Sequence, residues 1–316
     1  MVFFMKIAII GSGAMGCRFG VALASSGAEV VLYDVWKEHV DAINENGLKV
    51  ENLGTTAFVK IPATTDIASI GFVDAIIIFT KSMHTEAAIT AAQEIMRPYT
   101  PVITFQNGLG NIGVLESFVG RERVVAGITN YPTDLLEPGA VRVDGTGYTK
   151  LMALGTPGVA ASAEVCRLLK ANGMNCEISD DIMKEIWEKL AFNNAMNAIT
   201  ALTRQRVGHM GGSPYGFELC CLIAREVCDV AAAEGVKADY ETVVTTFKKV
   251  LDPNESGNHL TSMLQDVLKK KQTEIDSISG AVQEKAALHG IATPHLKTLY
   301  NLIKVIDENY ETMVEM

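Results

Sequence analysis

Three polar side chains share one face of a segment that otherwise has the composition of a buried helix. At about 100° per residue, Lys189, Asn193 and Asn197 fall within an arc of about 80°, while their neighbours in residues 186–202 are mostly apolar. An ammonium group with an ordinary pKa near ~10.4 is a proton donor at neutral pH. Because buried amides and ammonium groups are costly without partners, the stripe predicts either internal hydrogen bonds or a polar ligand that completes them.

A glycine pattern near the N-terminus is the second group of chemical interest. Gly11, Gly13 and Gly16 follow an apolar run, residues 6–10, and open a predicted helix. The first glycine permits a tight turn, the second lets the backbone approach a pyrophosphate, and the third lets the helix pack closely on the strand. The helix N-terminus adds free N–H groups and a positive dipole end. The predicted dinucleotide-binding loop comprises Gly11, Gly13, Ala14, Met15 and Gly16.

Asp34 ends the next predicted strand, eighteen residues after Gly16. An acidic residue at this place accepts hydrogen bonds from the ribose hydroxyls of NAD and repels the 2′-phosphate of NADP. Lys37 follows three residues later and could still reach that phosphate. Asp34 therefore favours NAD(H), and NADP(H) stays open as the alternative.

Two further polar residues follow predicted parallel strands. Lys81 comes after the strand at residues 73–79, and Asn107 comes after the strand at residues 102–105. Ligands of an open parallel sheet lie at the carboxyl ends of its strands, so both side chains are expected at the cofactor site. The alternatives are a solvated loop lysine and an ordinary Asn-Gly turn.

The elements that must position these residues change character along the chain. Strands and helices alternate at first, which predicts a doubly wound parallel sheet. Strands are predicted at residues 6–10, 29–33, 73–79, 102–105 and 175–178, and helices at residues 17–26, 36–46, 84–96 and 158–172. Residues 124–155 instead favour short antiparallel strands joined by glycine-rich turns.

From residue 180 nearly the whole chain has the pattern of long helices, with breaks at residues 208–214, 252–257 and 289–294. The predicted fold class is α/β, with an N-terminal Rossmann-type doubly wound sheet and an all-helical C-terminal domain. The boundary gives a dinucleotide-binding domain at residues 1–179 and a substrate and catalytic domain at residues 180–316. The long helices could support a homodimer. No apolar stripe in them is clearly surplus to the core, so the sequence does not decide between a monomer and a dimer.

The composition excludes several classes of protein. With 316 residues, 48% of them hydrophobic, the chain is neither disordered nor collagen-like. The 27 basic residues against 37 acidic ones leave a net charge of -10, which disfavours nucleic acid as a partner. Six cysteines and six histidines lack the spacing of a disulfide scaffold or a metal site. No run approaches the ~20 apolar residues of a membrane span, so a cytoplasmic protein without membrane association is expected.

Together the motifs resemble those of the ketopantoate reductase (2-dehydropantoate 2-reductase) family. The carrying residues are Gly11-x-Gly13-Ala-Met-Gly16, Lys81, Gln106-Asn107-Gly108, the Lys189, Asn193 and Asn197 stripe, Ser262-Met-Leu-Gln-Asp266 and Thr273-Glu-Ile-Asp276. They span nearly the whole chain in the order that the family has. The resemblance implies reduction of 2-dehydropantoate to (R)-pantoate, a step toward pantothenate and coenzyme A, with NADP(H) as cofactor.

The resemblance also implies roles for residues on the predicted stripe. Lys189 would be the catalytic lysine, which polarises the ketone and protonates the alkoxide formed as hydride arrives from the nicotinamide. Asn193 and Asn197 would orient substrate oxygens. Asn107 would lie beside both the nicotinamide and the substrate.

Two residues further along the chain would complete the site on the same resemblance. Glu274 would accept a hydrogen bond from a substrate hydroxyl or hold Lys189 in place, and Ser262 would donate to the substrate carboxylate. Their separation of twelve residues is about 18 Å along one straight helix. Both can touch a small keto acid only if the helix begins after Ser262 or bends before Glu274. The alternatives are an N-cap serine and a solvated glutamate.

The chain departs from the family pattern at two places. Asp34-Val-Trp-Lys37 stands where the family often has a basic residue for the NADP phosphate, and Ser279-Gly280 stands where Asn-Gly is common. The first departure supports a second hypothesis, an NADH-dependent D-2-hydroxyacid dehydrogenase that reduces other branched or aromatic 2-keto acids. A non-catalytic dinucleotide sensor is disfavoured, because it would have no need of the lysine–asparagine stripe.

Overall fold

The computed structural model describes residues 5–252 and 260–312, and the chain forms two compact units. The first unit comprises Met1–Gln106 and Asn111–Ile182, and the second comprises Asn107–Gly110 and Met183–Met316. The short segment Asn107–Gly110 therefore belongs to the helical unit by its packing.

Strands occur in the first unit and form two sheets. They are β1 (Lys6–Ile10), β2 (Glu29–Tyr33), β3 (Leu48–Asn52), β4 (Thr55–Val59), β5 (Ala63–Thr64), β6 (Ala75–Ile78), β7 (Val102–Thr104), β8 (Val124–Thr129), β9 (Asp134–Glu137), β10 (Ala140–Arg142), β11 (Thr149–Ala153) and β12 (Cys176–Ile178). The larger sheet has the order β12-β11-β8-β7-β6-β1-β2-β5. All neighbours from β5 to β8 run parallel, and β11 pairs antiparallel with β8.

The parallel part of this sheet confirms the predicted doubly wound architecture. β1 and β6 are neighbours, and every residue of β6 is buried. Such a strand is apolar throughout because it is covered on both faces, which is why the sequence identifies it. The prediction for residues 124–155 was wrong in one respect. β8 pairs antiparallel with β11 but parallel with β7, so it continues the main sheet.

The second sheet was predicted only in part: β9 and β10 lie within residues 124–155 and pair antiparallel as expected, whereas β3 and β4 were missed. It has four strands in the order β4-β3-β10-β9, with β3 antiparallel to β4 and parallel to β10. Four of the five residues of β4 are exposed, so this strand lacks the apolar run that marks a buried one. A small, largely solvated sheet of this kind leaves little signal in the sequence.

The helices lie in both units. Within the described residues they are α1 (Ala14–Ser25), α2 (Lys37–Asn46), α3 (Thr85–Ala92), α4 (Gly110–Val119), α5 (Thr156–Ala171), α6 (Ile182–Thr203), α7 (Val207–Gly211), α8 (Pro214–Ala233), α9 (Tyr240–Val250), α10 (Ser262–Leu268), α11 (Ala281–Leu288) and α12 (Pro294–Glu308). Two of these differ from expectation: α1 begins three residues before the predicted start at Cys17, and α4 was missed.

In its described part, the second unit consists of helices and the loops that connect them, without strands. The predicted break at residues 289–294 corresponds to the gap between α11 and α12. The break predicted at residues 208–214 was wrong in its extent, because residues 208–211 belong to α7 and only residues 212–213 interrupt the helices there. Of the break predicted at residues 252–257, only residue 252 lies within the described residues. In the part of the chain that the structure describes, no helix is long and apolar enough to cross a membrane.

α6 is the central helix for the candidate site. It has 22 residues, and Trp187, Leu190, Ala191 and Met196 on it are almost fully buried. A helix that is apolar on most of its faces is buried by its surroundings. The polar stripe that starts at Lys189 therefore lies in an element that is otherwise core.

The chain between Ser262 and Glu274 is not one straight helix. α10 ends at Leu268, Lys270 has a positive φ of 51°, and helical structure resumes only at Ile275. A π-helical turn, Asp276–Gly280, then leads into α11. The break removes the geometric objection to a shared ligand, because the 18 Å separation along a straight helix does not apply.

Candidate active site

The turn between β1 and α1 leaves its backbone open to a ligand. α1 begins at Ala14, which Met15 follows in the first turn. Gly13 is the N-cap, and no side chain forms a hydrogen bond to cap the helix there. A Cβ atom on Gly13 would meet no atom within 4 Å, so the backbone there borders open space. A Cβ atom on Gly16 would instead lie 2.0 Å from the carbonyl oxygen of Gly11. Tight packing beside uncapped N–H groups fits a pyrophosphate.

The Asp34 carboxylate lies against this glycine turn. Its Oδ2 atom accepts the backbone N–H of Ser12 at 2.8 Å, and its Oδ1 atom accepts the backbone N–H of Trp36 at 3.0 Å. The Ser12 hydroxyl also donates to Oδ2, at 3.3 Å. A carboxylate has about four acceptor sites, so these three bonds leave room for a ribose hydroxyl. The negative charge is thereby fixed beside the turn, and a carboxylate at such a place repels a 2′-phosphate.

Lys37, the residue that could have favoured NADP(H), is engaged on its own helix. Its Nζ atom lies 2.5 Å from Oδ2 of Asp41, one turn along α2. The hydrogen bond and charge of Asp41 raise the pKa of the exposed Lys37. Its positive charge is therefore already paired.

A buried network supports the glycine turn from within the first unit. The Cys17 thiol donates to the carbonyl oxygen of Ser12 at 2.9 Å, and Nε2 of His39 lies 3.5 Å from the same sulfur. Nδ1 of His39 accepts the backbone N–H of Gly139 at 3.0 Å, so a neutral ring carries its proton on Nε2. Burial lowers the pKa of His39, although Asp34 opposes this shift.

Gln106 connects the carboxyl ends of two neighbouring strands. Its Nε2 atom donates to the carbonyl oxygen of Thr80 at 2.7 Å, after β6, and to Oγ1 of Thr85 at 2.9 Å. Lys81 follows Thr80, is half-buried and precedes the short helical turn Ser82–His84. The structure therefore places Lys81 at a strand end that is fixed by side-chain hydrogen bonds, as the strand pattern predicts.

Lys189 and Asn107 meet in the second unit. The Lys189 ammonium donates to Oδ1 of Asn107 at 2.9 Å, although 82 residues separate them in sequence. Both side chains are half-buried. Lys189, the first residue of the polar stripe on α6, thus has a hydrogen-bond partner in the Gln-Asn-Gly motif.

A backbone contact explains the glycine in that motif. Gly108 has a φ of 91°, and a Cβ atom on it would lie 2.4 Å from the carbonyl oxygen of Ser277. The N–H of Leu109 approaches the same oxygen at 3.4 Å. Only glycine accommodates both the positive φ and this close approach. The contact seats Asn107 beside the π-helical turn.

Glu274 acts on Lys189 through its charge. Burial lowers the pKa of Lys189 to about 8, and the negative charge of Glu274 opposes that shift. Glu274 is half-buried and immediately precedes the residue at which helical structure resumes. Lys189, Asn107 and Glu274 therefore form a group of one ammonium, one amide and one carboxylate.

The three other predicted substrate residues lie on α6 and α10. Asn193 is half-buried and Asn197 is buried, both on the α6 face that carries Lys189. Ser262 is exposed and is the first residue of α10. The N-cap of that helix is Thr261, whose Oγ1 atom accepts the N–H of Leu264, so the N-cap alternative for Ser262 was wrong. Contact of Ser262 with substrate stays a prediction.

Sequence reasoning missed four residues that support the site. They are Gln106, Asn194, Ser277 and Ser279. All four act through contacts with residues far away in sequence, which no local pattern reveals. Ser279 was noted only as a departure from the family, and Gln106 only as part of a motif. Across residues 5–252 and 260–312, no cluster of His, Cys, Asp and Glu side chains is arranged to hold a metal ion.

Two family models match this chain. "Ketopantoate reductase PanE/ApbA" matches residues 7–155, and "Ketopantoate reductase PanE/ApbA C terminal" matches residues 181–307. A curated relative, the 2-dehydropantoate 2-reductase of Lactococcus lactis subsp. lactis, is 32% identical over 96% of this chain and 98% of its own length.

Solved structures show the same fold over nearly the full length. The ternary structure of D-mandelate dehydrogenase with NADH and anilino(oxo)acetate has a TM-score of 0.93 at 34% identity, covering 98% of this chain and 100% of that one. A PanE/ApbA family ketopantoate reductase from Ralstonia eutropha JMP134 has a TM-score of 0.87 at 29% identity, with 97% and 100% covered. The chain belongs to the ketopantoate reductase family, whose members are oxidoreductases that use a nicotinamide cofactor.

Proposed function

We propose that the protein reduces 2-dehydropantoate to (R)-pantoate with NAD(P)H, a step toward pantothenate and coenzyme A. The observation that carries this proposal is the Lys189 ammonium, which is held at 2.9 Å from Asn107 under the charge of Glu274. A keto acid offers the carbonyl oxygen that such an ammonium polarises. Curated relatives named 2-dehydropantoate 2-reductase support the choice of substrate.

Lys189 is the proton donor in this proposal. With a pKa of about 8, it is about nine-tenths protonated at pH 7. Its hydrogen bond to the ketone oxygen stabilises the negative charge that develops there, and its proton then neutralises the alkoxide. The nicotinamide cofactor supplies the hydride when it is bound.

The remaining residues bind and orient. Asn193, Asn197 and Asn107 position substrate oxygens, and Ser262 donates to the substrate carboxylate. Glu274 keeps Lys189 charged, because its negative charge favours the ammonium form. Of these roles, that of Glu274 has direct support from its effect on Lys189.

The cofactor-binding residues of the proposal lie in the first unit. The backbone of the turn from Gly11 to Gly16 would hold the pyrophosphate, and Lys81 would lie at the adjacent strand end. Asp34 would accept the ribose hydroxyls. Its fixed charge, together with the pairing of Lys37 to Asp41, favours NADH over NADPH.

A second candidate is a D-2-hydroxyacid dehydrogenase that reduces branched or aromatic 2-keto acids with NADH. The position of Asp34 favours it, as does the D-mandelate dehydrogenase structure, which was solved with NADH. An ammonium, amides and a carboxylate that hold a generic 2-keto acid would serve either substrate equally well.

One assay panel separates the two candidates. NADH or NADPH oxidation is measured with 2-dehydropantoate, 2-ketoisovalerate and phenylglyoxylate at matched concentrations. The proposed function requires the highest kcat/KM on 2-dehydropantoate. A value on 2-dehydropantoate at least ten times below those of the other acids would establish the second candidate instead. Absence of turnover with all three acids would refute both.

The wider assignments follow from the same proposal. Residues 1–179 are assigned to dinucleotide binding and residues 180–316 to substrate binding and catalysis, with Asn107 contributing to the latter. The protein is assigned to the cytoplasm, with a small 2-keto acid as its partner and with neither nucleic acid nor a membrane. Light scattering at micromolar concentration would distinguish a monomer from the homodimer that the long helices leave open.

A further inference from the structure

A buried hydrogen bond links α6 to the π-helical turn. The Ser279 hydroxyl donates to Oδ1 of Asn194 at 2.7 Å, and both residues are almost completely buried, with 0% and 1% of their surface exposed. The Nδ2 atom of Asn194 donates to the carbonyl oxygen of Leu190 at 2.9 Å. The pair is thus anchored to the α6 backbone at the residue that follows Lys189.

The π-helical turn has a second attachment, to the segment that carries Asn107. The Ser277 carbonyl oxygen lies where Gly108 and the N–H of Leu109 approach it. Ser277 and Ser279 therefore connect one turn to the loop on one side and to α6 on the other. Single π-helical turns are rare in proteins, and many of those that occur lie at functional sites.

The same turn also fixes the residue that precedes it. The Glu274 carbonyl oxygen accepts the N–H of Ile278 and the hydroxyl of Ser277, each at 3.1 Å. The backbone of Glu274 is thus part of the hydrogen-bonded start of the turn. Any shift of the turn relative to α6 would move Glu274 relative to Lys189.

We propose that Ser279 and Asn194 are positioning residues for the catalytic group. Their hydrogen bond sets the π-helical turn against α6 and so fixes Asn107 and Glu274 around Lys189. The inference deepens the proposed function and rests on it for the role of Lys189. Neither Ser279 nor Asn194 is assigned a contact with substrate or cofactor.

Removal of the hydroxyl has a definite expected consequence. In Ser279→Ala, Oδ1 of Asn194 loses its partner in a buried place, which costs free energy unless the turn moves. Because Glu274 opposes the depression of the Lys189 pKa, a looser turn lowers that pKa further. The ammonium is then lost at a lower pH, and misplacement of about 1 Å in a catalytic group is enough to slow turnover severely.

The experiment compares two variants of Ser279 with a matched control. Ser279→Ala removes the donor, and Ser279→Cys keeps the shape with a weak S–H donor. The control, Thr149→Val, removes a buried hydroxyl pair in the first unit, where Oγ1 of Thr149 donates to Oγ1 of Thr129 at 3.2 Å. The two classes of variant test whether loss of any buried hydroxyl has the same effect.

Four quantities are measured for each variant. They are the kcat and KM for the 2-keto acid across pH, the Kd of NADH by fluorescence titration, and the pKa of Lys189. That pKa is obtained in the full-length protein without substrate, by NMR of ε-13C-labelled lysine assigned with Lys189→Ala. For Ser279→Ala we expect kcat to fall about tenfold, with a lower pKa of Lys189 and an NADH Kd within about twofold of the parent. The kcat and the Lys189 pKa of Ser279→Cys should lie between those of the parent and of Ser279→Ala. Thr149→Val should match the parent in both quantities.

Two results would overturn the inference. One is a Lys189 pKa that stays at the parent value in Ser279→Ala, or in Ser279→Cys if the alanine variant does not fold. The other is an equal pKa shift in Thr149→Val. The NMR titration needs no turnover, so it decides about the pair even if no 2-keto acid is reduced and the proposed function fails.

Discussion

Six consecutive residues, Gly11 to Gly16, make the glycine turn of the first unit, whereas the Lys189 group of the second unit is gathered from three distant segments. Asn107, Lys189 and Glu274 are each more than 80 residues from the next along the chain. The turn is defined by space around its backbone, and the lysine group is defined by partners for its side chains. The first kind of site depends on local geometry, and the second depends on how helices are held together.

The two regions also differ in what a single substitution should disturb. In the glycine turn, a new Cβ atom changes either packing or ligand access, depending on the residue. In the lysine group, a lost side chain changes charge and proton transfer but leaves the cofactor loop intact.

The largest effect is expected from Lys189→Ala. Loss of the ammonium removes both the polarising charge and the proton donor, so kcat should fall by about a thousandfold. The Kd of NADH, measured by fluorescence titration, should stay within about twofold, because the glycine turn lies in the other unit. Lys184→Ala, on the same helix, is the control and should keep the parent kcat. Near-normal turnover in Lys189→Ala would refute its role as proton donor.

The next effect separates two glycines of the same turn. In Gly13→Ala the new Cβ atom borders open space, so thermal stability should be retained while the Kd of NADH rises by tenfold or more, about 1.4 kcal/mol. In Gly16→Ala the Cβ atom lies 2.0 Å from the Gly11 carbonyl oxygen, so the free energy of unfolding should fall by about 1–3 kcal/mol. Differential scanning calorimetry and NADH titration together test this. Equal loss of stability in both variants would contradict the assignment of Gly13 to the ligand.

The contrast between the regions also explains what the sequence could predict. The glycine turn and β6 were identified because their requirements are local: glycine where the backbone must be approached, and an unbroken apolar run where a strand is covered on both faces. β3, β4 and α4 were missed because a half-buried strand, an exposed strand and a glycine-containing helix start lack such a pattern.

For the lysine group, the sequence predicted the residues themselves but not the contacts that position them. The period of α6 placed Lys189, Asn193 and Asn197 on one face. The strand pattern and the family resemblance both pointed to Asn107, and the resemblance alone supplied Glu274. The Ser279–Asn194 hydrogen bond joins residues 85 positions apart, and the π-helical turn has no signature in residue type. Tertiary packing decides both features, so a single sequence contains no direct record of them.

A smaller effect concerns cofactor choice at the glycine turn. Asp34→Asn keeps an oxygen that can accept the Ser12 N–H but removes the charge that repels a 2′-phosphate. The ratio of kcat/KM for NADH to that for NADPH should fall by about tenfold. Asp66→Asn, which removes an equal charge from an exposed helix cap, is the control and should leave the ratio unchanged. A strong preference for NADPH in the parent enzyme would overturn the argument from Asp34.

The smallest effect is a shift in pH dependence at the lysine group. In the proposed function the ammonium form of Lys189 is the donor, so with a pKa of about 8 the reduction rate should fall about tenfold per pH unit above that value. Glu274→Gln removes the charge that opposes the depressed pKa, so the falling limb should move to lower pH by less than about one unit if Glu274 acts only through its charge. Glu241→Gln, at an exposed position on α9, should leave the limb in place. A limb that moves to higher pH in Glu274→Gln would show that the carboxylate does not stabilise the ammonium. A large loss of kcat at low pH, with the limb unmoved, would instead assign Glu274 to substrate binding.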